Sequence, residues 1–409
     1  MAISLASCTS DSLNEPINSD DLDDSKVATR FEPIQFTAEE REAIDAAKPF
    51  GLDLFRTYSE LSAADNIVIS PLSAIIDLGM LANGATDETQ AEILEALGWS
   101  AQGLEDMNSY ARRLMSEYQD MDHTTDVMIS NGIFRRKGYQ ELKADYTEKM
   151  KYIYDADSKY FGDDTWEMEI SNWISDKTNG LIKDMDLNYK GAHTSLINAL
   201  YFRGIWKEPF DKEKTISDKF TNSDGTVSEV KYMCERRSMS VYQNEMFAGV
   251  GLDFGNGAYT IEFIKPNDEL DVDAGIEDLD MEMWSSLHSS WKVLDINLRI
   301  PKFEMSVISD FKESLIALGI NRAFGLAQLG NMFVNPEADV TVNSVMQGCT
   351  FSLDEEGVTA SGTTSANIGD TSSGPLEDGG DFFLDHPFMF AIRENSSGAI
   401  LFIGKIGKL

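Results

Sequence analysis

The chain has 409 residues, is 42% hydrophobic and 25% charged, and carries a formal net charge of −36 from 34 basic and 70 acidic side chains. That size suits a globular body with a substantial core, and the charge argues against nucleic acid or an anionic membrane as a partner. No apolar run approaches the ~18 residues of a membrane-spanning helix, and three scattered cysteines make neither a disulfide framework nor a metal site.

Residues 1–36 are acidic and aperiodic, which reads as a disordered leader or tether. Within it, Leu5-Ala6-Ser7-Cys8 has the small-residue character of a bacterial lipoprotein cleavage site, so Cys8 is a lipidation candidate. Met1 to Ser7 is shorter than the roughly 7–15 apolar residues of an export signal, so the true start is expected upstream. This predicts an extracytoplasmic protein, either secreted or a surface or periplasmic lipoprotein.

Structure is expected from Thr37, where Thr37 and Glu40 form a capping box ahead of a helical stripe that Pro49 interrupts. Asn66 to Ile69 is a short strand, and Ser70-Pro71 opens a helix ending at Gly84, followed by another that stops at Gly98. Further helices are predicted over 110–118, 146–153 and 170–182, with a strand over 127–135 between the first two. Thr194 to Phe202 is a buried strand interrupted by one amide, Asn198, which needs hydrogen-bond partners because an unpaired amide costs about 1–3 kcal/mol. Strands follow over 230–232, 240–242, 247–252, 259–264 and 293–300, then a helix from Ser309 to Leu318, then strands over 382–392 and 400–403. Helices first and strands later predict an α+β class and one domain over 37–409.

No GxSxG, P-loop, HExxH or dinucleotide fingerprint is present, and the four histidines lack ligand spacing. No enzyme activity, metal or cofactor is expected. The informative stretch is Leu353 to Asp381. From Val358 to Ile368 small or apolar residues alternate with polar ones, the period of a half-buried strand, yet the segment runs into Ser372, Ser373, Gly374 and Pro375, a loop composition. A segment with strand pattern and loop context suits two locations.

Several segments together resemble one family, the serpins, over most of the chain. They are Asn66 to Ser73, Trp173 to Asp184 (WISDKTNGLIKD), Asn198 to Asp211 (NALYFRGIWKEPFD), Asp354 to Gly357, and Phe383 to Phe390. The resemblance implies helices packed around three mainly antiparallel sheets with an exposed reactive-centre loop at about 355–381. It implies a monomeric inhibitor that is cleaved by its target protease and traps the acyl-enzyme by inserting the cleaved loop into the main sheet. It also implies roles. Glu355, Glu356, Gly357, Val358, Thr359, Ala360, Ser361, Gly362, Thr363 and Thr364 match the hinge, which here is small and free of charge and proline from Val358 to Gly369. Ser70, Ser73 and Asn198 match a latch beneath the strands that part, with Gln347 where the family usually has histidine. Trp206, Lys302 and Glu355 match a gate at the top of the sheet, expected as a surface ion pair worth about 0–1 kcal/mol.

Inserting the loop would gain on the order of 15–25 kcal/mol before ordering costs, against roughly 5–15 kcal/mol holding a protease folded. Counting from the hinge as in the family it resembles, the reactive bond is expected near Thr371-Ser372, within a range that takes in Ile368, Gly369, Asp370 and Ser373. No Lys or Arg lies between Gly357 and Ile392, so trypsin-like enzymes are not the target. Elastase-like and subtilisin-like serine proteases fit, and papain-like cysteine proteases remain in the set. The competing readings are a non-inhibitory carrier on the same fold and a surface binding lipoprotein.

Overall fold

Thr37 opens the first helix through both halves of its capping box, accepting from the Glu40 N–H while the Glu40 carboxylate accepts from the Thr37 N–H. The computed structural model describes residues 30–409 apart from 119, 163, 179, 181–192, 268–269, 336–341 and 359–376. Ile34, inside the segment read as a leader, is buried, and its N–H donates to Ser396 Oγ at 2.9 Å. Helix α1 (Ala38–Leu61) runs through Pro49 without a break. Strand β1 (Asn66–Ile69) leads into α2 (Pro71–Gly84), with Ser70 as N-cap and proline at the first helical position.

Next come α3 (Asp87–Ala96), α4 (Leu104–Tyr118), β2 (Thr125–Arg136), α5 (Ala144–Tyr154), β3 (Asp157–Phe161), α6 (Trp166–Lys177) and β4 (Thr194–Ile205). The helix expected to reach residue 182 thus ends at Lys177, and most of the residues beyond lie outside the described ones. Then follow β5 (Ile216–Thr221), β6 (Val227–Gln243), β7 (Phe247–Asp253), β8 (Tyr259–Pro266), α7 (Val272–Glu277), α8 (Met281–Ser289), β9 (Lys292–Pro301), β10 (Phe303–Asp310) and α9 (Lys312–Ala317). The chain closes with β11 (Met346–Asp354), β12 (Gly357–Val358), β13 (Asp378–Phe383), β14 (Phe388–Glu394) and β15 (Ile400–Ile406).

Two short strands expected over 230–242 are one 17-residue strand, β6, because the whole length from Tyr232 to Val241 pairs with β9. The helix expected from Ser309 begins later, since Ser309 is a buried residue of β10 and the Asp310 carboxylate accepts from the Lys312 N–H instead. The strand expected over 382–392 is two, separated around Pro387: β13 pairs parallel with β9, whereas β14 pairs with β8 and β15.

Among the described residues the strands make two hydrogen-bonded sheets. One has nine strands in the order β1-β15-β14-β8-β7-β6-β9-β13, with β5 paired to β6. Because β6 binds β5 over its first residues, β9 from Tyr232 to Val241 and β7 over its last, it joins two of the three expected sheets into one ladder. The other sheet has six strands, β10-β11-β12-β4-β2-β3. Leu200 and Phe202 of β4 face the main core, which includes Ile76 and Leu78 of α2, while Ile197 and Ala199 face Trp173 and Ile174 of α6. The six-stranded sheet is therefore covered on both sides, which is why β4 reads as an almost continuous apolar run. Among the described residues no helix is long and apolar enough to cross a membrane.

Candidate functional site

Gly357 and Val358 form a two-residue strand wedged between two longer ones. On one side Leu353 pairs with Val358 and Asp354 with Gly357; on the other Ile205 pairs with Gly357 and Gly204 with Val358. Both ladders are antiparallel, so β11 and β4 run parallel to each other, and among the described residues only β12 joins them. Val358 is 1% exposed, packed in the core with Leu353. Gly357 adopts φ +150° with the Gly204 carbonyl packed where a Cβ would stand, so only glycine suits the position.

The residues just before β12 are tied to the top of β4. Trp206 Nε1 donates to the Asp354 carbonyl at 2.8 Å, and the N–H groups of Trp206 and Phe210 donate to the carbonyls of Glu356 and Glu355. Trp206 is itself held by stacking on Phe254, ring centroids 4.9 Å apart. Glu355 is not the surface ion pair expected from the sequence, since it is only 4% exposed. Its carboxylate accepts from Lys302 Nζ at 2.5 Å and from Thr215 Oγ1 at 2.6 Å. Burial pushes this carboxyl up, but the hydrogen bonds from Lys302 and Thr215 outweigh it and hold the group below the ordinary glutamate range. Glu356 is paired with Lys212. Neither Thr215 nor Lys212 was singled out from the sequence, because they act from a loop far from the hinge in the chain.

Lower in the same sheet, Gln347 clasps the Ser70 main chain: its Oε1 accepts from the Ser70 N–H at 2.6 Å and its Nε2 donates to the Ser70 carbonyl at 3.0 Å. Ser70 Oγ accepts from the Ser73 N–H at 3.2 Å, closing the N-terminus of α2. These three expected latch residues thus meet. Asn198 does not join them through a hydrogen bond among the described residues. Its Nδ2 donates to Asn131 Oδ1 on β2 at 2.6 Å, and Asn131 Nδ2 donates to the Tyr154 carbonyl at 2.5 Å. The requirement that Asn198 be fully partnered fails for its Oδ1, which is buried without a donor among the described residues.

Asp77 lies beneath this point. Burial raises its carboxyl to about 8, opposed only by a hydrogen bond from the Asn198 main chain. The sequence carries a signal for it that went unread: Asp77 is the single charged residue in the otherwise uncharged helix PLSAIIDLGMLANG.

The hinge positions Thr359, Ala360, Ser361, Gly362, Thr363 and Thr364, and the bond region Ile368, Gly369, Asp370, Thr371, Ser372 and Ser373, lie outside the described residues, as does Cys8. Their two ends are fixed in different sheets. The chain enters the stretch from β12 in the six-stranded sheet and leaves it into β13, which pairs with β9 in the nine-stranded sheet.

The family model described as Serpin (serine protease inhibitor) matches residues 45–409. The chain belongs to the serpin family. The serpin is 30% identical over 363 residues to Iripin-3 of Ixodes ricinus, spanning 85% of this chain and 90% of that protein. It is 28% identical over 376 residues to a leukocyte elastase inhibitor of Equus caballus, spanning 87% and 96%. Among solved structures it is similar to Tengpin, a thermophilic serpin in the native state, with TM-score 0.82 and 26% identity over 94% of this chain and 100% of that one. The serpin is accordingly a member of a protease-inhibitor family and not an enzyme, and the α+β architecture above is the serpin fold.

Proposed function

We propose that this serpin is a suicide-substrate inhibitor whose cleaved loop enters the six-stranded sheet as a full strand and traps the acyl-enzyme. The observation that carries this reading is the register of β12. A strand continued in that register carries Val358, Ala360, Gly362, Thr364, Ala366 and Ile368 along the buried side that β11 presents through Leu353, Phe351, Cys349 and Gln347. Those are the small and apolar members of the alternating stretch. In the same register Ile368 falls opposite Thr194, the first residue of β4, so the insertable pattern and its neighbouring strand run out together. Asp370, a charge costly to bury, lies beyond that end, which supports a reactive bond near Thr371-Ser372.

A loop without Lys or Arg suits an elastase-like or subtilisin-like serine protease, with papain-like cysteine proteases as a further class, and the leukocyte elastase inhibitor among the relatives supports the first of these. Such targets fit a monomer acting outside the cytoplasm, with Cys8 as a lipid attachment point. Incubation with an elastase-type enzyme should give a covalent complex that survives denaturing gels, with mass spectrometry locating the cut between Ile368 and Ser373. Cleavage without a complex, and without a rise in thermal stability, favours the carrier reading instead.

A further inference from the structure

Three consecutive residues of β6, Glu235, Arg236 and Arg237, reach elements that hold both ends of the reactive loop. Side chains alternate across a strand, so Arg236 projects to one face of the sheet and its two neighbours to the other. On its face Arg236 spans two carboxylates, with Nε donating to Asp295 Oδ2 at 2.9 Å and Nη2 to Asp378 Oδ1 at 3.1 Å. Asp378 is the first residue of β13, and its Oδ1 also accepts from the Gly380 N–H at 2.9 Å, across the irregularity with which β13 joins β9. Among the described residues β13 is an edge strand bonded to β9 alone, and its first four residues are exposed. Side-chain ties therefore matter to it. Arg236 supplies one, and Asn297 of β9 another, its Nδ2 donating to Asp381 Oδ1 at 2.7 Å.

On the opposite face Glu235 and Arg237 hold the segment after β4 that grips the hinge. Glu235 Oε1 accepts from Lys214 Nζ at 2.7 Å, in the turn whose Lys212 pairs with Glu356 and whose Thr215 Oγ1 donates to Glu355. Arg237 Nη1 donates to the Glu208 carbonyl at 2.5 Å, and the guanidinium lies over the Phe210 ring at 4.4 Å. Phe210 in turn donates its N–H to the Glu355 carbonyl. The Arg237 side chain is only 11% exposed, and its Nε and Nη2 are buried with no partner among the described residues. Two buried unpaired N–H groups on a cation count against stability. Packing alone does not account for Arg237; its contacts are with the segment that holds the hinge.

We propose that Arg236 and Arg237, with Glu235 beside them, are positioning residues for the inhibitory reaction: one short stretch of β6 holds the exit and the entry of the reactive loop at a set separation, so that the loop enters the sheet only when a cut frees its exit end. This rests on the inhibitory reading of the loop. The hinge already lies in the sheet as far as Val358, paired on both sides. Further entry of an uncut loop draws on its far end, which is tied to β13. Any peeling of β13 starts at Asp378, the residue that Arg236 holds. Arg237 acts at the other end, keeping residues 206–210 against the hinge.

The test uses the full-length, uncleaved protein, held a few degrees below its melting temperature and sampled over time with subtilisin. Uncut protein whose loop has entered the sheet resists the cut and melts higher. Arg236→Gln should shorten the lifetime of the cleavable form roughly fivefold, the upper range for an exposed ion pair. Arg237→Lys, which keeps the charge but not the planar group over Phe210, should shorten it roughly tenfold. Sodium chloride should bring the natural lifetime towards that of Arg236→Gln and leave that variant unchanged, because the Arg236 pairs are exposed and screened. Once the loop is cut its exit end no longer bears on the hinge, so cleaved Arg236→Gln should melt with the cleaved natural protein, whereas a merely structural role lowers both forms. Equal lifetimes for the natural protein and both variants overturn the proposal. So does a loss in Arg236→Gln that the cleaved form shares, or a loop that stays cleavable in all three proteins. If the lifetimes shorten as expected but no protease complex forms, the inhibitory reading falls and the hold of β6 on the two loop ends stands.

Discussion

Gly357 faces Gly204 so closely that a Cβ on Gly357 would lie 1.9 Å from the Gly204 carbonyl oxygen. The hinge is thus fitted to its neighbour at main-chain level, before any side chain is considered. Gly357→Ala must either push β4 aside or withdraw β12 from the sheet. A positive φ costs a non-glycine residue about 1–2 kcal/mol and each lost ladder bond about 1 kcal/mol. The variant should lose about 2–4 kcal/mol by urea unfolding and turn over more loop as substrate per complex formed on denaturing gels.

Val358 carries the first apolar side chain of the hinge, and it is packed in the core. Val358→Glu would place an unpaired carboxylate there, at a cost of several kcal/mol, so the hinge should stay out. Cleavage at the loop should continue, while covalent complex and the post-cleavage rise in melting temperature are both lost. Retention of a normal complex yield would contradict insertion through β12.

At the gate, removing Lys302 leaves Glu355 buried with Thr215 as its remaining side-chain donor. Lys302→Ala should destabilise by about 1–3 kcal/mol, less than the 3–5 kcal/mol of a fully buried pair because Lys302 is partly solvated. Since the folded Glu355 carboxyl lies below its ordinary value, its contribution is present above the unfolded pKa and is lost as pH falls through the folded one. The difference between the natural protein and Glu355→Gln should therefore shrink in acid, as measured by denaturant unfolding at about pH 7 and about pH 3.

Asp77 has the opposite sign. Its carboxyl is raised from 3.8 to about 8, so between those values the unfolded chain is ionised while the folded one keeps its proton. Folding stability should fall as pH rises from about 4 to about 8 and level off above, by several kcal/mol in all. Asp77→Asn removes that slope and should melt higher than the natural protein at pH 8, which calorimetry across pH can check.

Buried Glu262 is ionised between two partners. Burial pushes it up, and Arg393 and His288 more than offset this, with Arg393 Nε at 2.7 Å and His288 Nε2 at 3.0 Å. Arg393→Met should cost about 3–5 kcal/mol, because β8, β14 and α8 meet at this carboxylate; an effect below 1 kcal/mol in chemical denaturation would contradict that role.

Much of this was legible from local chemistry. The Thr37–Glu40 box and the Ser70-Pro71 start are written within a few residues, since a cap needs only its own first turn. The alternation from Val358 to Ile368 likewise follows from residue order alone. By contrast β10 and β11 went unread, though they pair along their length from Phe303–Leu353 to Asp310–Met346, because a strand whose partner is distant in the chain is defined by register and not by its own pattern.

The sequence by itself therefore determined which stretch could become a strand, which residues could cap, and that the stretch from Val358 to Gly369 carries no charge. Only the tertiary structure decided that Glu355 is buried, that Asn198 turns to Asn131, and that Asp77 is buried against the Asn198 main chain with no counter-ion among the described residues. Those are properties of neighbours brought together across hundreds of residues, and burial, which sets both the strength of an ion pair and the protonation of an acid, exists only once they have met.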